Sequence, residues 1–583
     1  MDASMTFWRR PTGLALCAAT VAWLGAATLA QNGQNPTMSG VLSGRVTADR
    51  GEVRAFRVAA KDTLHKITYT VFTRGGQYQI FNLPASTYEI SVIEDAFDSP
   101  VQKVDVKAGQ TQTADLALKA KPGPLLADVP GGKQRPNAEL VDWETMYPPS
   151  PARDIMVKDC LGCHSWQGFH RRGGKTEAQW RNAIERMFDN KAWGRAIGIE
   201  GAPLLDYQLP NADRDLIAKY LATNFPLGGK VRDLKLDPNP RDEAALAEAI
   251  YVTYELPAVQ GAPFADGTKR EPGFHDAQPG GDPETLGTVW LSGTPNSSIW
   301  QVDVRNPLTT PEQRTKQFQI PSPENINIRP HGIFEFKGHV WTSNIGDSGA
   351  TDFNYKTREF KRYLPVESKG SSGLTVVVDS KGIVWWANNM GHTRIVRLDP
   401  KSGKITEYNP VPGAGWYGMA VDKKDRVVAT GYGRGFEVPV WDPKTEKFNL
   451  FKLNNTSRRP TVDSKGIIWT AQYFGNSMGR INADSGTTSE VKLPLRYGNV
   501  YEVSADSQDN IWGENQNYNS LVRYDQKTNT FTYFPFPILK GHTPRINRDV
   551  KNDAWFELDG QVAVFRPNGN KAAGRTNSTA RAN

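Results

Sequence analysis

The chain has 583 residues, with 70 Lys and Arg against 62 Asp and Glu for a formal charge of +8. That length exceeds one ordinary domain and predicts three or four. The basic residues are scattered with no long run, which excludes a nucleic-acid-binding reading, and the abundance of Gly, Pro, Trp, Tyr and Phe favours short strands and turns over long helices.

Residues 1–30 read as a secretory signal peptide. Arg9 and Arg10 precede an apolar run over 14–24, and Thr28-Leu29-Ala30 supplies a small-residue end. The rival reading is an uncleaved anchor. No later stretch is long and apolar enough to span a bilayer, so no transmembrane segment is expected after cleavage, and the expected location is periplasmic or secreted.

Residues 31–120 carry strand patterns at 41–47, 68–72, 78–81, 88–93 and 102–106, separated by Gly and Pro. The segment Gly75-Gly76-Gln77-Tyr78-Gln79-Ile80, followed by Leu83-Pro84-Ala85-Ser86-Thr87-Tyr88-Glu89-Ile90, resembles the carboxypeptidase regulatory-like family. The resemblance implies a small Ig/transthyretin-like β-sandwich with a structural or binding role. The family's early proline-and-glycine loop is shortened here around Gly51. Residues 121–146, rich in Pro and Gly, read as a linker.

Within 147–228 lies Cys160-Leu161-Gly162-Cys163-His164. Two thiols at this spacing with an adjacent His read as a covalent haem attachment site, with His164 as the proximal iron ligand. A structural zinc site would need four ligands, and only His164 and His170 lie nearby to complete a set. A redox dithiol would need a thioredoxin-like setting, whereas helices follow here. Thr176-Glu177-Ala178-Gln179 is a capping box, after which Trp180, Ile184, Met187 and Phe188 share one helical face. A second helix starts near Asn211 and stops at Pro226. An early motif followed by helices resembles the small class I cytochromes c. That implies a small α-helical cytochrome c domain holding one covalent haem c on Cys160 and Cys163. Met187 is the candidate distal ligand, His170 its rival, and Met156 a weaker one. A Met at position 187 can equally be core.

Residues 229–285 read as a linker with a ring-closing strand near 252–257. Over 286–570 a β-former and Trp recur: Val289-Trp290, Val340-Trp341, Val384-Trp385, Ile468-Trp469, Ile511-Trp512 and Ala554-Trp555, with Val427-Val428 filling the remaining place. Four short strands per repeat predict a seven-bladed β-propeller, so the fold class is multidomain and mainly β. The last repeat lacks its outer strand, and Val252-Thr253-Tyr254-Glu255-Leu256-Pro257 matches it. Residues 571–583 read as a disordered tail.

The repeats resemble the streptogramin lyase (virginiamycin B lyase) family. In that family a metal ion with a His and Glu pair drives an elimination that opens a cyclic peptide lactone, so the resemblance admits a divalent metal on one propeller face. Arg329-Pro330-His331-Gly332 resembles the family's histidine loop. The glutamate expected after the next Trp strand is Asn344, and Glu514 follows a different Trp one position early. The lyase pair is therefore not reproduced in place. The same loops supply His331, Asn344, Asn388, His392, Tyr417, Arg458, Gln472, Glu514, His542 and Arg545 as a candidate polar mouth for an anionic or carbonyl-bearing ligand. A solvated propeller channel would also be polar. The leading expectation is haem c electron transfer with a redox partner protein or small-molecule substrate at the propeller, which makes any enzyme activity that of an oxidoreductase. The alternatives are a lyase or hydrolase acting at His331 and a non-catalytic ligand-binding protein.

Overall fold

The computed structural model describes residues 39–122, 135, 137–166, 168–188, 208–322, 324–433 and 436–572. The expected signal peptide at 1–30 and nearly all of the tail expected at 571–583 lie outside the described residues. Among the described residues no helix is long and apolar enough to cross a membrane.

The chain is mainly β. Six four-stranded antiparallel sheets follow one another over 277–319, 330–363, 372–408, 414–452, 460–492 and 500–535. A seventh is built from Asn547–Arg548, Ala554–Leu558 and Gln561–Arg566, and its fourth strand is Ile250–Tyr254, supplied from upstream. Neighbouring sheets pack through their first strands, and the seventh returns to the first, where Asn547 Nδ2 donates to Ala277 O at 2.7 Å. The result is a closed propeller of seven blades, numbered here in the order given. Its apolar cores lie between blades: Trp512, Phe534 and Phe565, for instance, join blades 6 and 7.

In blades 5, 6 and 7 a local rule explains the turn before the Trp strand. In Asp463-Ser464-Lys465-Gly466 one oxygen of Asp463 accepts the backbone N–H groups of Lys465 and Ile467, which fixes the turn. Its other oxygen accepts the indole N–H of Trp469 at 3.1 Å. Asp506 with Trp512 and Asp549 with Trp555 repeat the arrangement at 2.8 Å and 2.9 Å. In these three blades the turn supplies the acceptor that a buried indole needs. Blade 4 has Val428 at the Trp position, and there the Asp422 carboxylate takes Arg426 Nε at 2.6 Å instead.

The N-terminal module has two sheets. One orders Gln77–Pro84, Ser39–Ala48, Leu116–Ala120 and Phe97–Asp98, with Thr111–Thr113 also on Ser39–Ala48. The other orders Gln102–Val106, Ser86–Val92, Arg57–Asp62 and Ile67–Phe72. They share a core that includes Leu42, Val58, Ile80, Tyr88 and Leu116. The sequence patterns at 41–47, 68–72, 78–81, 88–93 and 102–106 fall on strands, while Arg57–Asp62 has no marked alternation and is nearly all buried. Ile250–Tyr254 pairs on one side with Gln561–Arg566 of blade 7 and on the other with Ile67–Phe72. The second sheet and blade 7 therefore form one continuous eight-stranded sheet.

Between them lies a helical module with Pro151–Asp159, Leu161–His164, Glu177–Phe188 and Asn211–Asn224. Ser150 caps the first of these, accepting from Arg153 N. Thr176 and Gln179 make the reciprocal bonds of a capping box at 3.0 Å and 3.2 Å. Inside the span read as linker at 121–146, Glu139–Val141 pairs with Arg232–Leu234, and Trp143–Met146 is a short helix whose Trp143 and Met146 are buried. The span 229–285 likewise holds Glu243–Glu248, a helix capped by Asp242.

Candidate functional site

The first strands of blades 2, 3, 4 and 6 each break register near the same end. The irregularities fall between Pro330 and Ile333, Gly373 and Val376, Trp416 and Gly418, and Val500 and Val503. A bulge re-aims the side chain it carries. The residues so placed are His331, Leu374, Tyr417 and Tyr501, and all four line a cavity of about 550 Å³ at the propeller mouth. Blades 1 and 5 contribute His275 and Arg458, each just before the first strand. Phe274, Pro295, Ile345 and Met390 supply apolar wall, and Asn327 and Arg329 complete one side.

The His275 and His331 rings stack with centroids 3.4 Å apart. Burial and the neighbouring imidazole hold His331 well below the ordinary histidine range. His331 Nδ1 donates to Leu374 O at 2.5 Å, which leaves Nε2 as an acceptor. Tyr417 and Tyr501 share a hydroxyl–hydroxyl bond. The Arg458 guanidinium lies 3.9 Å from the centre of Tyr473, 4.2 Å from Tyr501 and 5.3 Å from Tyr417, a cation held over aromatic faces.

Below the cavity is a buried ion network. Asp276 meets Arg545 at 2.8 Å and Arg459 at 3.4 Å, and Arg459 Nε approaches Glu502 at 3.6 Å. Burial would raise Asp276, but Arg459 and Arg545 outweigh it and hold the carboxylate ionised. Burial pushes Glu502 up to about 8 despite the same two arginines. The network ties the first strands of blades 1, 5, 6 and 7 together across the ring. Arg545 thus belongs to the channel wall beneath the mouth.

The motif helix Leu161–His164 sits against this face. Gly162 makes the approach possible: a Cβ there would stand 2.9 Å from Thr456 Oγ1. Trp166 packs on Phe474 and Tyr497 of the propeller at centroid distances of 4.3 Å and 5.2 Å, and Trp143 N donates to Tyr497 Oη at 3.0 Å. Cys160 and Cys163 are unbridged thiols. Burial pushes Cys163 up to about 11, against the charge of Arg458, and raises Cys160 further. Burial, then Arg172 and Arg458, push His164 down to about 4. Its imidazole is therefore neutral at physiological pH, the form that binds metal. Arg172 Nη2 donates to its Nδ1 at 3.1 Å, and Trp166 Nε1 is buried with no acceptor among the described residues. Two neutral thiols, a neutral imidazole, aromatic walls and an unmet N–H fit a covalently attached haem.

The other expected residues separate into groups. Met187 lies in the last turn of Glu177–Phe188 and is partly buried. His170 is committed elsewhere: Nδ1 meets Tyr147 Oη at 3.1 Å and Nε2 faces Asp233 at 3.6 Å. Met156 is core. Asn344, Asn388 and Gln472 are turned to bonds within the sheets and loops, to Thr351, Ser368 and Glu490, so they do not build the mouth. His392 is exposed and outside the cavity lining. His542 and Glu514 come together, Nδ1 to Oε1 at 3.2 Å, with Glu514 fully buried and the His542 ring 5.2 Å from that of Tyr501. His275, Asp276, Arg329, Arg459 and Tyr501 were not expected from sequence. The first two lie in the span read as linker. Among the described residues no three His, Cys, Asp or Glu side chains group as metal ligands would.

No protein-family model matches the chain, and no curated protein does. Solved structures similar to it include a streptogramin B lyase, at 18% identity and a TM-score of 0.44, covering 51% of this chain and 94% of that one. A catalytically inactive virginiamycin B lyase from Staphylococcus aureus with quinupristin is 16% identical with a TM-score of 0.43, covering 50% of this chain and 94% of that one. The extracellular domain of a hybrid two component system from B. thetaiotaomicron is 16% identical with a TM-score of 0.40, covering 54% of this chain and 44% of that one. These are likenesses of fold, to lyase-type propellers and extracellular domains.

Proposed function

We propose that this chain is a periplasmic or secreted haem c protein that passes single electrons between the helical module and a substrate or protein partner at the propeller mouth. The observation that carries the reading is the position of Arg458. One guanidinium lines the mouth cavity and acts electrostatically on both Cys163 and His164. Cys160 and Cys163 would hold the haem as thioethers, His164 would be the proximal ligand and Met187 the distal one. When bound, such a group supplies a one-electron iron couple. The residues around it set its conditions. Trp166, Phe169 and Phe474 would shield one side of such a group from water, and the charges of Arg172 and Arg458 near His164 would favour its reduced state. The test is a denaturing gel stained for haem, with intact mass, on protein from the periplasm of a host with cytochrome c assembly. Covalent haem in the wild type and none in the Cys160→Ala/Cys163→Ala double variant is the expected result. Haem-free wild type overturns the reading.

A second reading rests on a separate observation, the partly buried His542 backed by the fully buried Glu514. That pairing is a general-base arrangement and suits a lyase-type proton abstraction at the same mouth. Ring opening of a cyclic peptide lactone that survives loss of haem and disappears in His542→Ala would favour it. Absence of turnover in the wild type would remove it.

A further inference from the structure

Two imidazoles line the mouth cavity with their tautomers fixed. His275 Nδ1 lies 2.8 Å from Asp276 Oδ1, and Arg459 and Arg545 keep that carboxylate ionised. An ionised carboxylate only accepts, so Nδ1 carries the proton and Nε2 the lone pair. His331 reaches the same state by donating from Nδ1 to Leu374 O at 2.5 Å. The two rings stack with centroids 3.4 Å apart, and burial keeps both uncharged. Neither Nε2 meets a donor among the described residues. Other polar groups of the wall are engaged within the protein. Thr294 Oγ1 donates to Pro330 O, Asn327 Nδ2 to Pro295 O, and Asn327 Oδ1 accepts from Ser297 Oγ. The remaining wall is largely apolar and aromatic: Phe274, Ile345, Leu374, Met390, Tyr417 and Tyr501. At about 550 Å³ the cavity suits a small organic molecule.

We infer that this cavity binds a neutral ortho-diphenol, its ring against the aromatic and aliphatic wall and its two hydroxyls donating to Nε2 of His275 and Nε2 of His331. A pair of acceptors is met only by a ligand that donates, and an acceptor covered without a donor is costly. Hydroxyls on neighbouring ring carbons can serve two imidazoles in stacking contact. A carbohydrate would press its remaining hydroxyls against the apolar wall. An aromatic ether or hydrocarbon would leave both Nε2 atoms unmet. An ammonium donor is opposed by the positive charges of Arg329 and Arg458 in the same wall. The inference rests on the mouth of the preceding proposal as a ligand site and gives it a ligand class, while the binding itself needs no haem.

Isothermal titration of the full chain under nitrogen with catechol, phenol and veratrole (the dimethyl ether of catechol) tests the assignment. The expected result is one site for catechol, with phenol weaker and veratrole weaker than catechol by about ten-fold or more, since methylation removes both donors and keeps the ring. His275→Phe and His331→Phe each keep an aromatic ring in the stack and remove one acceptor. Each should weaken catechol by about ten-fold or more and bring its affinity close to that of phenol. Thermal melting of each variant shows whether the fold survives, and the comparison of the three ligands on the wild type stands without the variants. Equal binding of catechol and veratrole, no effect of either Phe variant in a folded protein, or no binding at millimolar catechol overturns the inference. Repeating the titration on Cys160→Ala/Cys163→Ala separates the two proposals: catechol binding persists there whether or not the wild type carries haem.

Discussion

At Gly162 a missing side chain decides how two modules meet. The Thr456 side chain would lie 2.9 Å from any Cβ at this position, closer than real contacts allow. Gly162→Val should therefore push the motif helix off the propeller and lower stability by about 1–3 kcal/mol, the usual cost of overpacking. Thermal melting measures the loss, and quenching of the Trp166 fluorescence environment reports the separation. An unchanged melt and spectrum would mean that the helix and propeller do not meet here. The stretch Cys160-Leu161-Gly162-Cys163-His164 stands out in the sequence by its residue types and spacing alone. Its setting does not. Arg458 shows why: its sequence neighbours place it before a first strand, but its partners Tyr417, Tyr473 and Tyr501 come from blades 4, 5 and 6. His275 was illegible for a related reason, lying in a stretch without periodicity whose place is set only when the ring closes.

At the scale of the element, a turn-to-tryptophan bond recurs in blades 5, 6 and 7. Asp506→Ala removes the acceptor of the buried Trp512 N–H and the anchor of the turn at Gln508 and Asn510. The predicted loss is about 1–3 kcal/mol, the cost of an unmet buried donor, seen in urea unfolding. No loss would show that the Asp serves only the turn's solvent side. The β-former–Trp pairs revealed seven blades because the indole and its turn recur at fixed distance. Blade 4 keeps the turn and exchanges Trp for Val428 with Arg426, so its place was readable from spacing alone. The bulges that aim His331, Tyr417 and Tyr501 were not readable. A bulge adds one residue without changing composition, and period-two alternation gives no sign of it.

A second element-scale prediction concerns acid. Glu94 is buried between Arg57 and Arg241, and Arg57 Nη1 also donates to Phe536 O of the propeller at 3.2 Å. Burial alone would raise its carboxyl, but the two guanidiniums outweigh it and lower it from 4.5 to about 2. The folded state therefore favours the ionised form. Its contribution is complete above about 4.5 and is lost as pH falls through about 2. Wild-type stability should fall across that window, and Glu94→Gln should flatten this part of the curve while lowering stability at neutral pH. A wild-type profile no steeper than that of Glu94→Gln would remove the pair from the acid response.

For the whole molecule the decisive element is Ile250–Tyr254, which belongs to blade 7 and to the N-terminal module at once. A closed ring has no exposed edge, and here the closing strand also presents its other side to Ile67–Phe72. The two modules should therefore unfold together. Val252→Pro, at a position with strands on both sides, breaks ladder bonds that a central strand cannot spare. It should lower the melting of both modules in one transition by calorimetry. Two separate transitions, with only one displaced, would contradict the continuous sheet. The sequence suggested that this strand completes the ring, from its likeness to the missing outer strand. The further pairing with Ile67–Phe72 left no trace in pattern, since every residue of Ile250–Tyr254 is buried and no alternation marks its faces.

The central proposal is that Cys160, Cys163 and His164 would hold a redox group against the propeller mouth. A potentiometric titration of the visible spectrum of the full chain tests it most directly. The account predicts one reversible one-electron transition of a covalent haem, moved to lower potential in Arg458→Gln, where a positive charge near His164 is lost. A protein with no reducible chromophore would contradict it, as would a transition whose potential is the same in Arg458→Gln.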